Sequence, residues 1–212
     1  MRTSSLISLI FLLFALSTQH LKTLADSEQV LDFYGNALVP GKLYHILDFT
    51  DHAHGIQTEE LDDQTCPITV IFGADAKKVI FTPKDEKATS IVTEQDLDIK
   101  FLEVSRCAKS GNWAVQVDAD KNNHLLIGPP TGVETWDGSF HIRKSKTGTA
   151  YNLAFYLFER DDTFLVTRNY RPNQDIYRLE LCTDEGFDVV FYPYTPATLT
   201  PPSVSRIRKR VA

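Results

Sequence analysis

The chain has 212 residues, 42% of them hydrophobic and 24% charged, with a formal net charge of -6. That length suits one domain with one substantial core. The acidic balance argues against binding nucleic-acid phosphates, which such a surface would repel.

At the amino terminus a basic Arg2 precedes an apolar run at residues 6–16, LISLIFLLFAL. Eleven residues are too few to cross a bilayer, which takes about 20. Small residues follow, Ala25 being preceded at minus three by Thr23. The pattern predicts a secretory signal peptide over residues 1–25, with cleavage after Ala25. No other apolar run is long enough to span a membrane, so no membrane partner is expected. Beyond the signal, residues 26–192 carry 16 basic and 28 acidic side chains, a net charge of -12.

From residue 43 onward short apolar runs alternate with polar positions. The series opens with Leu43-Tyr44-His45-Ile46-Leu47, Ile68-Thr69-Val70-Ile71-Phe72 and Lys78-Val79-Ile80-Phe81. It continues through Leu97-Asp98-Ile99-Lys100-Phe101, Trp113-Ala114-Val115-Gln116-Val117 and Phe140-His141-Ile142-Arg143. Tyr151-Asn152-Leu153-Ala154-Phe155, Ile176-Tyr177-Arg178-Leu179-Glu180-Leu181 and Val189-Val190-Phe191-Tyr192 complete it. A period near two, rich in β-branched and aromatic residues, predicts strands. Turn signals separate them at 110–111, 122–123, 137–138 and 185–186. The expectation is an all-β barrel or sandwich, with a β-helical or mixed fold as the alternative.

Between the third and fourth runs lies Thr82-Pro83-Lys84-Asp85-Glu86-Lys87-Ala88-Thr89-Ser90. Four consecutive charges resist burial, which places this stretch on the surface. Four prolines from Pro193 to Pro202 deny ladder donors, and residues 193–212 read as a disordered tail. Arg206, Arg208, Lys209 and Arg210 give that tail a basic end.

Three cysteines, Cys66, Cys107 and Cys182, follow the predicted signal. An exported chain with an odd count predicts a disulfide and one thiol left over. No Cys-x-x-Cys or His-x-x-x-His pair supports a zinc site, no cofactor motif is present, and there is no N-glycosylation sequon. His45 and His141 fall within predicted strands and read as hydrogen-bonded barrel residues. His52 and His54 form a polar pair, and two ligands do not make a metal site. Nucleophile-elbow, zincin and phosphate-loop motifs are all missing, so enzyme activity is not expected. Neither Trp113 nor Trp136 has a glutamine two residues before it, which weakens a sugar-binding reading.

Val30-Leu31-Asp32-Phe33-Tyr34-Gly35-Asn36-Ala37-Leu38, followed after five residues by Tyr44-His45-Ile46, resembles the signature of the plant Kunitz family, the soybean trypsin inhibitor-like proteins. Cys66-Pro67-Ile68-Thr69-Val70 is similar to that family's Cys-Pro-Leu-Thr-Val strand. Asp137-Gly138-Ser139-Phe140-His141-Ile142, with Tyr151-Asn152-Leu153-Ala154-Phe155, resembles a further family stretch. The resemblance covers residues 28–192 and implies a β-trefoil domain over 26–192. In that fold twelve strands form three units, six strands closing a barrel and six capping it. It also implies a disulfide between Cys66 and Cys107, leaving Cys182, which reads as a small buried apolar residue rather than a reactive thiol. Two departures stand out. Tyr156 occupies the place of the family's third cysteine, which removes the second disulfide. Pro40 stands where family inhibitors commonly carry an asparagine whose amide supports the reactive loop from behind.

The resemblance further implies a secreted, extracellular or vacuolar, monomeric inhibitor of trypsin-like serine proteases. A substrate-like loop lies across the protease cleft, and a Lys or Arg enters the specificity pocket. Family spacing back from Phe101 points to Lys87, fourteen residues earlier, followed by Ala88. Spacing forward from Pro83 points near Asp85, because the loop is about two residues longer than usual. Lys87 is the first choice for the inserted side chain and Lys84 the second, with Glu86 and Ala88 beside them. The alternative is a Kunitz-fold storage, defence or stress-related binding protein with weak or no trypsin inhibition.

Overall fold

The computed structural model describes residues 27–61, 66–117 and 123–195. The predicted signal peptide and the tail from residue 196 lie outside the described residues. Twelve strands follow in chain order: β1 (Leu43–Asp48), β2 (Gly55–Glu59), β3 (Thr69–Gly73), β4 (Lys78–Pro83), β5 (Leu97–Phe101) and β6 (Trp113–Val115). The second half contains β7 (Leu125–Ile127), β8 (Gly138–Lys144), β9 (Tyr151–Leu157), β10 (Asp162–Arg171), β11 (Ile176–Cys182) and β12 (Val189–Pro193). No helix occurs among the described residues, so none is long and apolar enough to cross a membrane.

Alternation drives the packing. In β5, Leu97, Ile99 and Phe101 are buried while Asp98 and Lys100 face solvent, the expected result of side chains pointing to opposite faces in turn. Six strands close into a ring of antiparallel pairs. β1 meets β4 at Tyr44 and Val79, and β4 meets β5 at Phe81 and Ile99. β5 reaches β8 at Leu97 and Phe140, and β8 runs beside β9 at Ile142 and Leu153. β9 joins β12 at Tyr151 and Val189, and β12 returns to β1 at Phe191 and Ile46.

The other six strands form the hairpins β2–β3, β6–β7 and β10–β11. These meet one another through β3, which pairs with β7 and β11. Each run of four strands thus gives its outer two to the barrel and its inner two to the cap. That is a β-trefoil. Tyr44, Ile46, Phe81, Leu97, Leu153 and Phe191 fill the interior, with Phe81 and Phe191 edge to face at 5.4 Å. Each large side chain so buried contributes about 1.5–3 kcal/mol.

Cys66 and Cys107 are bonded, their Cα atoms 5.8 Å apart, tying the approach to β3 to the β5–β6 connection. Cys182 departs from the expectation of a buried apolar residue. It ends β11 half-buried, with its thiol donating to the Glu185 carbonyl at 3.0 Å. Tyr156 lies in β9, and its hydroxyl donates to Asp161 in the turn leading to β10. Buried charge is paired: Glu180 accepts from Asn169, Arg171 and Arg178, and Asp48 from Arg168 at 2.6 Å. At the carboxyl end β12 runs through residue 193. Pro193 pairs with Tyr44, and the Tyr194 amide still donates to the Leu43 carbonyl.

Candidate functional site

The β4–β5 connection leaves the barrel at Lys84 and returns at Asp96. Its base is closed by the Lys84 amide donating to the Asp96 carbonyl at 3.0 Å. The return limb is pinned along its length. Ile91, fully buried, donates to Leu38 and accepts from Val30. The Thr93 amide donates to the Glu28 carbonyl, and the Thr93 hydroxyl accepts from the Glu28 amide. Glu94, at φ +58°, donates to the Ile142 carbonyl. The segment carrying the Val30–Leu38 motif therefore serves as a shelf for the return limb.

The tip, residues 84–90, is mostly exposed, with Ala88 and Ser90 half-buried. It is folded into a turn: the Asp85 carbonyl accepts from the Ala88 amide at 3.0 Å, and the Asp85 carboxylate accepts from the Lys87 amide at 3.0 Å. An aspartate that bonds its own backbone two residues on is a common turn-former. An open cleft of about 420 Å³, lined by both limbs and Ser27, separates this tip from residues 92–96.

The structure treats the two candidate lysines differently. Lys84 is committed to the body, its ammonium donating to the Gly138 carbonyl at 3.1 Å and lying 4.8 Å over the Phe158 ring. Lys87 is exposed, and its ammonium makes no hydrogen bond or ion pair among the described residues. Glu86 is exposed beside it. Pro40 sits in the turn at 39–42, where the Gly41 amide donates to the Phe81 carbonyl of β4. Support from this side of the shelf reaches the loop through backbone, from Leu38 to Ile91.

A group of side chains that sequence reasoning did not assemble anchors the base of the loop. His141 of β8 is 8% exposed, with Nε2 2.9 Å from the Asp96 carboxylate and Nδ1 3.7 Å from that of Glu94. Ser139 donates to the same Asp96 oxygen, and Arg143 donates to Glu94 at 2.7 Å. Burial pushes the His141 imidazole toward its neutral form, but the two carboxylates outweigh it and hold its pKa above the ordinary value. Burial acts upward on Glu94 and Asp96, but the His141 ring beside both, the Arg143 bond to Glu94 and the Ser139 bond to Asp96 hold both below the usual carboxylate range. Forty-five residues separate Asp96 from His141, and no local motif links them.

Elsewhere the histidines have partners of their own. His45 Nδ1 is 3.0 Å from the Ala76 carbonyl, His54 pairs with Asp51, and the His52 ring packs against Phe33 and Tyr192. Among the described residues no three His, Cys, Asp or Glu side chains are placed to hold a metal ion.

Comparison with known proteins gives this architecture its relatives. A pea (Pisum sativum) Kunitz-type trypsin inhibitor-like 1 protein is 34% identical over 176 residues, spanning 78% of this chain and 81% of its own. The crystal structure of a Kunitz type trypsin inhibitor from Cicer arietinum superposes with a TM-score of 0.72 at 30% identity, covering 79% of this chain and 99% of that one. Soybean trypsin inhibitor, as solved in complex with porcine pancreatic trypsin, shares the fold at 21% identity and a TM-score of 0.71, over 79% of this chain and 100% of that one. Residues 30–192 match the legume Kunitz family, described as trypsin and protease inhibitor. The chain belongs to the legume Kunitz family of protease inhibitors.

Proposed function

We propose that the protein is a secreted inhibitor of trypsin-like serine proteases, acting as a monomer by substrate-like insertion of the β4–β5 loop around Lys87. The observation that carries this reading is the contrast within the loop. The return limb is bonded at Ile91, Thr93 and Glu94, while Lys87 projects from the tip with its ammonium unpaired. A limb held this way reduces the ordering cost of binding. A lysine ammonium suits the buried aspartate of a trypsin-like pocket. An interface of about 1,600 Å² would be ordinary for such a pair. The disulfide and the predicted signal peptide support an extracellular or vacuolar site of action.

A second reading draws on two observations at the same loop. Asp85 folds the tip into a turn, whereas insertion into a cleft needs extended backbone. Pro40 offers no side-chain donor to support the loop. Together they favour a Kunitz-fold storage, defence or stress-related binding protein with weak trypsin inhibition.

Titration of the protein without residues 1–25 against trypsin, chymotrypsin and subtilisin, with a cysteine protease as control, separates the two. Stoichiometric inhibition of trypsin with none of the control is the expected result. Full residual trypsin activity at excess inhibitor would favour the second reading.

A further inference from the structure

The Glu94–Asp96–His141 group has a geometry that ordinary core packing does not require. Glu94 and Asp96 belong to the return limb, and Asp96 also supplies the carbonyl that closes the base of the loop on Lys84. His141 belongs to the barrel. Its ring is buried, stacks on Tyr156 at 5.7 Å, and turns both nitrogens toward carboxylates of the loop. At 3.7 Å the Nδ1–Glu94 approach is too long for a hydrogen bond, and this buried nitrogen has no other partner. A neutral ring would leave it with neither a bond nor a charge to satisfy it, whereas an imidazolium is held by both acids at once.

We propose that His141 is a positioning residue for the exposed loop: its charged ring clamps Glu94 and Asp96 to β8, and loss of its proton loosens the Glu94–Asp96 end of the return limb, while Ile91 and Thr93 stay bonded to the shelf. The link to protease binding rests on the reading of residues 84–90 as the protease-facing tip, but the clamp itself does not. The groups that face it are few. Asp96 and Glu94 approach from the loop, with Lys84 close enough to act on Asp96. Ser139 and Arg143 flank it on β8, the first bonding Asp96 and the second Glu94. From β9 comes Tyr156, whose hydroxyl is engaged by Asp161.

Closed, the loop brings two acids to the ring and raises its proton affinity; open, it removes them, and the affinity falls toward that of a free histidine. Closure is therefore favoured below the ordinary histidine pKa, and that advantage is lost as pH rises through the raised value. The acids, both held low, stay ionised across this window.

The test is amide hydrogen exchange at Lys84 and Glu94, whose bonds to the Asp96 and Ile142 carbonyls break when this end of the limb lifts. Rates are corrected for the intrinsic effect of pH and compared at pH 5.5 and 8.5. Protection in the wild type should fall about threefold or more between the two, beside an NMR titration of His141 that moves over the same range. His141→Gln should exchange alike at both pH values. Glu94→Gln, at an exposed position, should keep the fold and move the midpoint to lower pH. Equal protection in the wild type at both pH values would overturn the clamp, as would a pH dependence that survives in His141→Gln. Trypsin inhibition measured alongside keeps the two claims apart. Protection that follows His141 in a protein that does not inhibit trypsin supports the clamp and overturns the inhibitor reading.

Discussion

Asp85 holds the tip of the loop with both its carboxylate and its carbonyl, so it controls whether Lys87 can reach an extended conformation. Asp85→Ala removes one of these bonds, worth about 1 kcal/mol. The extended form should then be populated about fivefold more, and association with trypsin, followed by stopped flow, should quicken by up to that factor. An unchanged rate would show that the turn is no barrier. Pro40→Asn supplies a side-chain donor on the shelf beside β4, and a tighter inhibition constant is expected if the amide reaches the loop. The cysteines give a third check. Thiol titration of denatured, unreduced protein should find one group per chain, from Cys182, whereas three groups would contradict the Cys66–Cys107 bond. At this scale the sequence was partly legible. Four adjacent charges betray an exposed tip. The turn at Asp85 was not visible, because aspartate before a charged run serves a turn or an open loop equally. His141 read as a barrel histidine and is one, but its acids come from another strand connection.

The β10–β11 hairpin depends on a carboxylate. Glu180, 4% exposed, accepts from Asn169, Arg171 and Arg178. Burial alone would raise its pKa, yet these three partners outweigh it and hold it below the usual range. Such a group stabilises the fold fully above the ordinary glutamate value, and that share is lost as pH falls through the lowered one. Glu180→Gln leaves two guanidinium groups without their acid and should cost about 3 kcal/mol in urea unfolding at neutral pH. The gap to wild type should narrow below about pH 4. A constant gap at all pH values would show that the charge is not what matters. The strands themselves were unevenly legible. β5 announces itself because its faces differ so sharply. β7 is three buried residues, too short to show a period. β10 is exposed or half-buried along nearly all of its length, so its sequence Asp162–Arg171 shows no apolar face. β2 begins with Gly55 and carries polar Gln57, Thr58 and Glu59. All three are hairpin strands of the cap, where pairing and the neighbouring hairpins, more than a clean apolar face, define the element.

At the scale of the whole molecule, closure of the six-stranded ring is the property that alternation could not decide, since a sandwich shows the same pattern. The choice of a trefoil came from the resemblance, and the pairing of β12 with both β1 and β9 is the structural fact that completes it. Far-ultraviolet circular dichroism of the chain without residues 1–25 should therefore lack the helical double minimum, and a strong one would contradict this architecture. The barrel also explains why the loop can work as a unit: both its ends leave paired strands, and its return limb is held to β8 and to the Val30–Leu38 shelf. The most direct test of the inhibitor reading is the trypsin inhibition constant of Lys87→Ala beside wild type and Lys84→Ala. Truncating a buried charge pair costs about 2 to 5 kcal/mol, so Lys87→Ala should weaken inhibition about 30-fold or more, with Lys84→Ala changing it far less. Strong inhibition untouched by Lys87→Ala, or a wild type that fails to inhibit and is cut between Lys87 and Ala88, would contradict it.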